Sequence, residues 1–361
     1  MTSDKFPATG ASLKTKKLGN ITEYFATVSR PGDSLSDMLN QANEMIAQTG
    51  ATPIAQYIFA PVAGNENLEI PTDRPVTWVD SGHRKGSELA GVYVHAIAGT
   101  EVRKVESAGR CVACVYENED AKYCLMGDLR SADPTRKNTD QVADTFGLME
   151  TLLIDAGMDF SHICRTWLYL EDILDWYGDF NLARDDFFRS RKTFDILIPA
   201  STGIGGANPA GAAMLAGALA VKAKTDNYKA MEVDSPLQGS ACDYGSSFSR
   251  AVELETSHSR WLSISGTASI APEGHTVFLD DIVKQVDLTM RVVAAIIESR
   301  GMTWEDVTRC FAYHKTAEYL EVFNAWLAEN NLSHLPIIFT ENDVCRDNLL
   351  FELEVDAIVA K

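Results

Sequence analysis

The stretch QVADTFGLMETLLIDAGMDFSHICR, Gln141–Arg165, returns as QVDLTMRVVAAIIESRGMTWEDVTR, Gln285–Arg309. Gln141 and Gln285, Val142 and Val286, Gly157 and Gly301, Met158 and Met302, and Arg165 and Arg309 all stand 144 residues apart, a register that chance rarely keeps. In each copy the apolar residues fall at helical spacing: Val142, Phe146, Met149 and Leu153, then Val286, Met290, Val293 and Ile297. A glycine at the C′ position closes each helix, since the left-handed conformation needed there carries no penalty without a Cβ. Each helix therefore has one face to bury.

After each glycine comes a run of strand character, HICRTWLYL or VTRCFAYHK. A second amphipathic segment follows, containing Phe180-Asn181 or Phe323-Asn324, now 143 apart. Upstream, YCLMGDL (Tyr123–Leu129) and WLSISGTAS (Trp261–Ser269) each read as a strand running to a glycine. The repeating unit is strand, loop, helix, strand, helix, strand. Two such units predict an α+β protein of two tandem domains, each a mixed sheet with helices packed on one face. The period is far longer than that of a solenoid, so a duplicated domain is the expected architecture.

A chain of 361 residues can fill two cores, and 45% hydrophobic with 23% charged residues is ordinary for a globular protein. The net charge of −19 argues against nucleic acid, whose phosphates need a basic surface to displace counterions. A small anionic substrate stays open, given a few gathered arginines. The N-terminus MTSDKFPATG lacks an apolar signal core, and no uninterrupted apolar run is long enough to span a membrane. Seven scattered cysteines suit a reducing compartment, so a cytoplasmic protein without membrane contact is expected.

Residues 1–33 are polar and punctuated by glycine and proline, and read as a partly ordered arm; SLSDMLNQANEMIAQTG, Ser34–Gly50, reads as a capped helix. Neither belongs to the repeat. The polar stretch Lys222–Gln238 holds the linker. The expected division is an arm and helix at 1–50, a first domain at 51–224, a linker at 225–235 and a second domain at 236–361.

Among candidates for chemistry, Cys111-x-x-Cys114 in RCVACVYE alternates as a strand, which should turn the two thiols to opposite faces. No second ligand pair follows, so no metal site is expected. The seven histidines are dispersed, and His314, aligned with a leucine of the first copy, reads as a partly buried polar residue. PASTGIGGANPAG, Pro199–Gly211, reads as a glycine loop whose N–H groups can cradle an anion, or as a plain turn. The second copy has VCRDNLLFELEVDA there instead, with Cys345, Arg346, Glu352 and Glu354. Along such a strand Glu352 and Glu354 share one face, either at a site or at a solvated edge.

With GSSFSRAV (Gly245–Val252), SISGTAS, the glycine-methionine pair at Gly301 and the terminal FELEVDA, the repeat resembles the Rid/YjgF fold. That family's small α+β domains assemble as trimers, with sites between neighbours and a glutamate on the last strand. Its carboxylate-clamping arginine would follow the Pro-Ala pair, where this chain has Ser201. Over roughly residues 90–361, RTWLYLEDILDWYGDFN, PASTGIGG and VCRDNLLFELE are similar to chorismatases, which carry two Rid-like domains in one chain and cleave chorismate to pyruvate plus a cyclohexadiene diol or a hydroxybenzoate.

The resemblance implies one composite site within the chain, no cofactor, and either a monomer or a Rid-like trimer. It makes Glu352 the general acid that protonates the enolpyruvyl methylene, with Glu354 second. It assigns Cys345, seven residues before Glu352, to the fate of the ring, since cysteine there marks the 3-hydroxybenzoate type and alanine the hydrolytic type; a thiolate adding to or steering the ring intermediate is the mechanism considered. The expected products are pyruvate and 3-hydroxybenzoate, with 4-hydroxybenzoate or the diol as alternatives. Arg250 is expected to hold one carboxylate, Ser201, Thr202 and Gly203 the other anion, and Ala268 to line the site. Arg165 and Arg309 are left as helix caps, as partners of surface acids or as anion ligands, and Arg346 as a further candidate anion ligand. A Rid-type imine deaminase or a non-catalytic binding protein are the alternatives.

Overall fold

The computed structural model describes residues 10–82 and 86–361; most of the polar N-terminal segment quoted above lies outside them. The described residues form three sheets. The first comprises β1 (Ala11–Leu18), β2 (Ile21–Val28), β3 (Thr52–Phe59), β4 (Val76–Val79) and β5 (Gly91–Ala98), with helix α1 (Leu35–Ala47) between β2 and β3. The second comprises β6 (Arg103–Ser107), β7 (Arg110–Glu117), β8 (Ala121–Leu129), β9 (Ile163–Leu170), β10 (Ala200–Gly205) and β11 (Met214–Ala223), with α2 (Asn138–Asp155) and α3 (Ile173–Ser190). The third comprises β12 (Lys229–Val233), β13 (Ala251–Glu255), β14 (Ser259–Ala268), β15 (Val307–His314), β16 (Ile337–Glu341) and β17 (Phe351–Ala360), with α4 (Ile282–Ser299) and α5 (Leu320–Glu329).

The strand orders, β1-β2-β5-β3-β4, β6-β7-β8-β11-β9-β10 and β12-β13-β14-β17-β15-β16, are one topology written three times. In each, the last strand inserts between the strands that flank a helix, and a parallel strand closes one edge. The first copy has one fewer hairpin strand and one fewer helix. The expected two-unit layout is therefore corrected to three sheets. Residues 11–28 are paired strands rather than a partly ordered arm, and 229–233, inside the expected linker, form β12 against β13. A boundary at residue 50 would also cut the first sheet between α1 and β3. Ser34–Gly50 does form a capped helix, with the Ser34 hydroxyl accepting from the Asp37 N–H.

Each sheet packs its helices on one face and turns the other inward. The three inner faces share one aromatic core, in which Tyr57 lies 5.7 Å from Trp167 and 5.5 Å from Phe311, and Phe59 lies 5.9 Å from Tyr169. Edge strands join the sheets in a ring. The Ser201 N–H of β10 donates to Ser265 Oγ of β14, the Phe339 N–H of β16 to Ser29 Oγ beyond β2, and the Asp128 N–H of β8 to Thr77 Oγ1 of β4. No described helix is long and apolar enough to cross a membrane.

The repeated glutamines carry out the same task twice. Gln141 Oε1 accepts from the Ala213 N–H just before β11, while its Nε2 donates to the Pro134 and Arg136 carbonyls. Gln285 Oε1 accepts from the Leu350 N–H just before β17, and its Nε2 donates to Phe278 and Asn348. Each buried amide thus ties its helix to the start of the central strand, satisfying backbone groups that burial would otherwise leave unpaired. A β-bulge in the β6–β7 pairing accompanies the one correction within β7: Cys111 and Cys114 both enter the inner core rather than opposite faces.

Candidate active site

Strand register explains why one seam differs from the other two. Phe59, Tyr169 and Tyr313 occupy equivalent positions, and across from them stand Gly91, Leu215 and Glu352. Only the third sheet places an acid there. At Gly91 the space is already taken by Ile338 of the neighbouring sheet. Glu352 instead faces the edge of β10 across the seam between the second and third sheets.

The pocket at this seam encloses about 390 Å³ including its mouth. Glu352, Gly266, Ala268, Ile270, Arg250, Cys345, Arg346, Tyr244 and Phe248 come from the third sheet and its loops, and Tyr177 from α3 of the second. Glu352 is 5% exposed. Gly266 makes room for it: a Cβ at 266 would overlap Glu352 Oε1 and stand 2.9 Å from its Cδ.

Two residues along the same face, Glu354 is fully buried, which excludes the solvated-edge reading. Arg165 Nη2 donates to its Oε2 at 2.9 Å, Trp167 Nε1 donates to its Oε1 at 3.0 Å, and Arg309 lies 3.3 Å away while also pairing with Asp356 at 2.8 Å. Arg165 further donates to Thr202 Oγ1 at 2.6 Å, which accepts a second bond from the Gly266 N–H at 3.0 Å. Burial opposes the charge of Arg309, but Asp356 and Glu354 more than compensate and hold it strongly protonated. The repeated arginines are thus neither helix caps nor surface partners; they form a buried network centred on Glu354.

Environment separates the two glutamates. Burial, reinforced by the charge of Glu354, pushes the Glu352 carboxyl up to about 8, against the pull of Arg165 and Arg250. At neutral pH it holds a proton beside a cavity. Cys345 looks onto the same cavity, and burial with the neighbouring Glu352 pushes its thiol up to about 12. That shift holds the thiol toward its neutral form, which weighs against the thiolate considered for Cys345 above.

Arg250 Nη2 donates to Tyr244 Oη at 2.8 Å, and its Nε to the Gly239 carbonyl at 2.9 Å. Arg346 Nη1 donates to the Gly274 carbonyl at 2.8 Å. Both guanidiniums lie over the Tyr244 ring, 5.4 and 5.6 Å from its centre. Among the described residues, neither has a carboxylate within 4.0 Å, so the pocket carries two cations not committed to ion pairs. A second cavity, of about 400 Å³, is lined by Asp80, Glu171, Asp172, Asn342 and Asp343 and by the backbone of Gly205–Ala207 among the described residues.

The structure brings Glu352, Cys345, Arg250 and Ala268 together around the pocket. It does not bring Ser201 and Gly203 into the lining. PASTGIG is strand β10 rather than a glycine loop: Thr202 and Ile204 pair with β9, while Ser201 and Gly205 send their N–H groups across to Ser265 and Asp343. Ser201 Oγ accepts from Thr166, and Thr202 stands behind the pocket on Arg165. Gly203 faces the Tyr177 ring, which lies 3.7 Å from where a Cβ would be, an ordinary contact distance. Sequence reasoning missed Tyr177, Tyr244 and Gly266; the glycine of SISGTAS and Glu352 were both in view, but not that they meet, 86 residues apart. His314 is fully buried among Phe323, Phe339 and Phe351, and burial lowers its pKa to about 4.

No family model matches the chain, and no curated protein matches it. Among solved structures, a chorismatase is similar over 96% of this chain and 100% of its own, with a TM-score of 0.68 and 19% identity. An L-PSP protein of Entamoeba histolytica described as a putative endoribonuclease covers 36% of this chain and 100% of its own (TM-score 0.31, 20% identity). A YjgF/YER057c/UK114 family member of Mycobacterium tuberculosis covers the same shares (TM-score 0.29, 23% identity). Along nearly its whole length, then, this chain has the fold of a chorismatase.

Proposed function

We propose that the protein cleaves chorismate, releasing pyruvate, and that the ring leaves as a hydroxybenzoate, 3-hydroxybenzoate in the first place. The observation that carries the reading is a buried Glu352, its carboxyl pushed toward the protonated form, in the same pocket as two guanidiniums, Arg250 and Arg346, that no described carboxylate pairs with. Chorismate is a dianion with an acid-labile enol ether, and the pocket supplies two cations and one proton.

In this reading Glu352 donates its proton to the enolpyruvyl methylene, producing an oxocarbenium centre. The ring C–O bond then breaks, its electron pair going to the oxygen, which becomes the neutral carbonyl oxygen of pyruvate. The adjacent ring hydroxyl displaces the leaving oxygen and returns its proton to Glu352, and the resulting epoxide opens to the phenol. The sum is an isomeric split of chorismate into pyruvate and hydroxybenzoate, with no water or cofactor consumed. If water attacks the oxocarbenium carbon instead, pyruvate leaves with the non-aromatic diol. A neutral Cys345 fits the first course by occupying space that water would need.

Glu354 serves by holding Arg165 and Arg309, not by proton transfer. Because one chain closes the ring of three sheets, the proposed site needs no second copy. Incubating the protein with chorismate and separating the products by chromatography tests the reading: equal amounts of pyruvate and hydroxybenzoate are expected. Pyruvate with only the diol would replace the product assignment, and absence of pyruvate would overturn the activity.

A further inference from the structure

Gly266, over which the Glu352 carboxyl rests, lies outside the regular ladder of its own sheet. The register shift between Ile264 and Thr267 leaves Ser265 and Gly266 out of the β14–β17 pairing. The Ser265 N–H donates to the Arg250 carbonyl at 3.0 Å, and the Gly266 N–H crosses the seam to Thr202 Oγ1 of β10, also at 3.0 Å. The same oxygen accepts from Arg165 Nη2 at 2.6 Å, and that nitrogen donates in addition to Glu354 at 2.9 Å. Thr202 and Arg165 are buried, so solvent offers these groups no replacement partner. The point that a Cβ at 266 would occupy is overlapped by Glu352 Oε1 and lies 3.2 Å from Thr202 Cγ2, so threonine and carboxyl flank the same glycine. A chain of contacts therefore runs from Glu354 through Arg165, Thr202 and Gly266 to Glu352.

We propose that Thr202 is a positioning residue for Glu352: its hydroxyl, oriented by Arg165, engages the Gly266 N–H and so withholds that donor from the carboxyl seated on the glycine. An N–H that bonds a carboxylate favours its ionised form. With Thr202 in place, the acid keeps the proton that cleavage of the enol ether needs, and to that extent the inference rests on the chorismatase reading. The other groups around the carboxyl are Glu354 on its own strand, Tyr313 on β15, Arg165 on β9, Tyr177 on α3, Tyr244 and Arg250 before β13, and Cys345 and Arg346 before β17. All of them remain when Thr202 is replaced. The seam also keeps its other bonds, from the Ser201 N–H to Ser265 Oγ at 2.8 Å and from the Ser249 N–H to the Pro199 carbonyl at 3.1 Å.

Thr202→Val keeps the shape and removes the acceptor, Thr202→Ala makes the same deletion with less bulk, and Thr202→Ser retains the hydroxyl. The probe is the infrared carbonyl band of the protonated Glu352 carboxyl, identified by its loss in Glu352→Gln and followed against pH without substrate. In Thr202→Val and Thr202→Ala the freed Gly266 N–H should lower the midpoint of that titration by about one pH unit, the tenfold change in equilibrium that one hydrogen bond brings. The high-pH decline of kcat should move down with it, with KM for chorismate little changed, and Thr202→Ser should titrate as wild type. An unmoved or raised midpoint, or serine behaving as valine does, overturns the inference. So does a kcat lowered equally at every pH, which is what a merely structural threonine would give. Wild-type protein that releases no pyruvate overturns the chorismatase reading, while the infrared midpoint still decides the role of Thr202. Pyruvate release with an unmoved midpoint overturns only that role.

Discussion

Gly266 and Glu352 are complementary across β14 and β17: the carboxyl occupies the volume that any side chain at 266 would fill. Ala268 is the direct strand partner of Glu352, and Gly266 lies within the register shift between Ile264 and Thr267 in that pairing. The irregularity turns an otherwise closed ladder into a seat for an acid. Gly266→Ala should therefore displace the carboxyl and reduce turnover by at least about tenfold, the scale expected when a reacting group is moved by an ångström or less. Full activity in a folded Gly266→Ala protein would remove Glu352 from that seat.

Glu352→Gln keeps the shape and removes the transferable proton. Turnover should drop by roughly 10²–10⁴-fold, the usual contribution of a general acid, with an unchanged circular dichroism spectrum. Near-wild-type turnover would transfer the role elsewhere in the pocket.

The pH profile follows from the same residue. With the carboxyl pushed up to about 8 by burial and by Glu354, the active form is the protonated one, so turnover should decline as pH rises through about 8. Stability has the same sign. The folded state retains a proton that the unfolded chain releases near its ordinary value of 4.5, so the folded protein loses stability progressively between about 4.5 and 8. Thermal melting across that range should be flatter in Glu352→Gln than in wild type, and parallel curves would contradict the assignment.

Arg250→Lys preserves charge but loses the planar fork and the contact over Tyr244. KM for chorismate should rise by about tenfold or more, as expected for a loss of ~1.5 kcal/mol or above in a charged hydrogen bond. An unchanged KM would place the carboxylate on Arg346 instead.

Cys345→Ala should move the organic product from 3-hydroxybenzoate toward the diol, because the cavity it leaves admits water. If the thiol were only filler, the change would cost about 1–2 kcal/mol of stability and lower all products equally. The ratio of hydroxybenzoate to pyruvate at equal conversion decides between the two.

The sequence by itself determined the helices of the second and third sheets and the strands beside them, but not β10, read as a loop, or β12, read as linker. Helix periodicity, closing glycines and the repeated Gln141 and Gln285 are local signals, and each was read where it stands. Glu352, Cys345 and Arg250 were legible because residue type and spacing carried a family resemblance. The first sheet was not: its copy is shorter, lacks the second helix and keeps the closing glycine, Gly50, without the repeated glutamine and arginine, so only its pairing reveals it. Tertiary structure alone decided which charges meet. Arg165 and Arg309 looked like matching surface residues until three sheets closed around an aromatic core and left Glu354 as their partner. The same closure raised Glu352, held the Cys345 thiol toward its neutral form, and turned PASTGIG from a presumed loop into a strand edge. Burial and the encounter of distant strands set the energy of each of these groups, and neither is a property of any local stretch of chain.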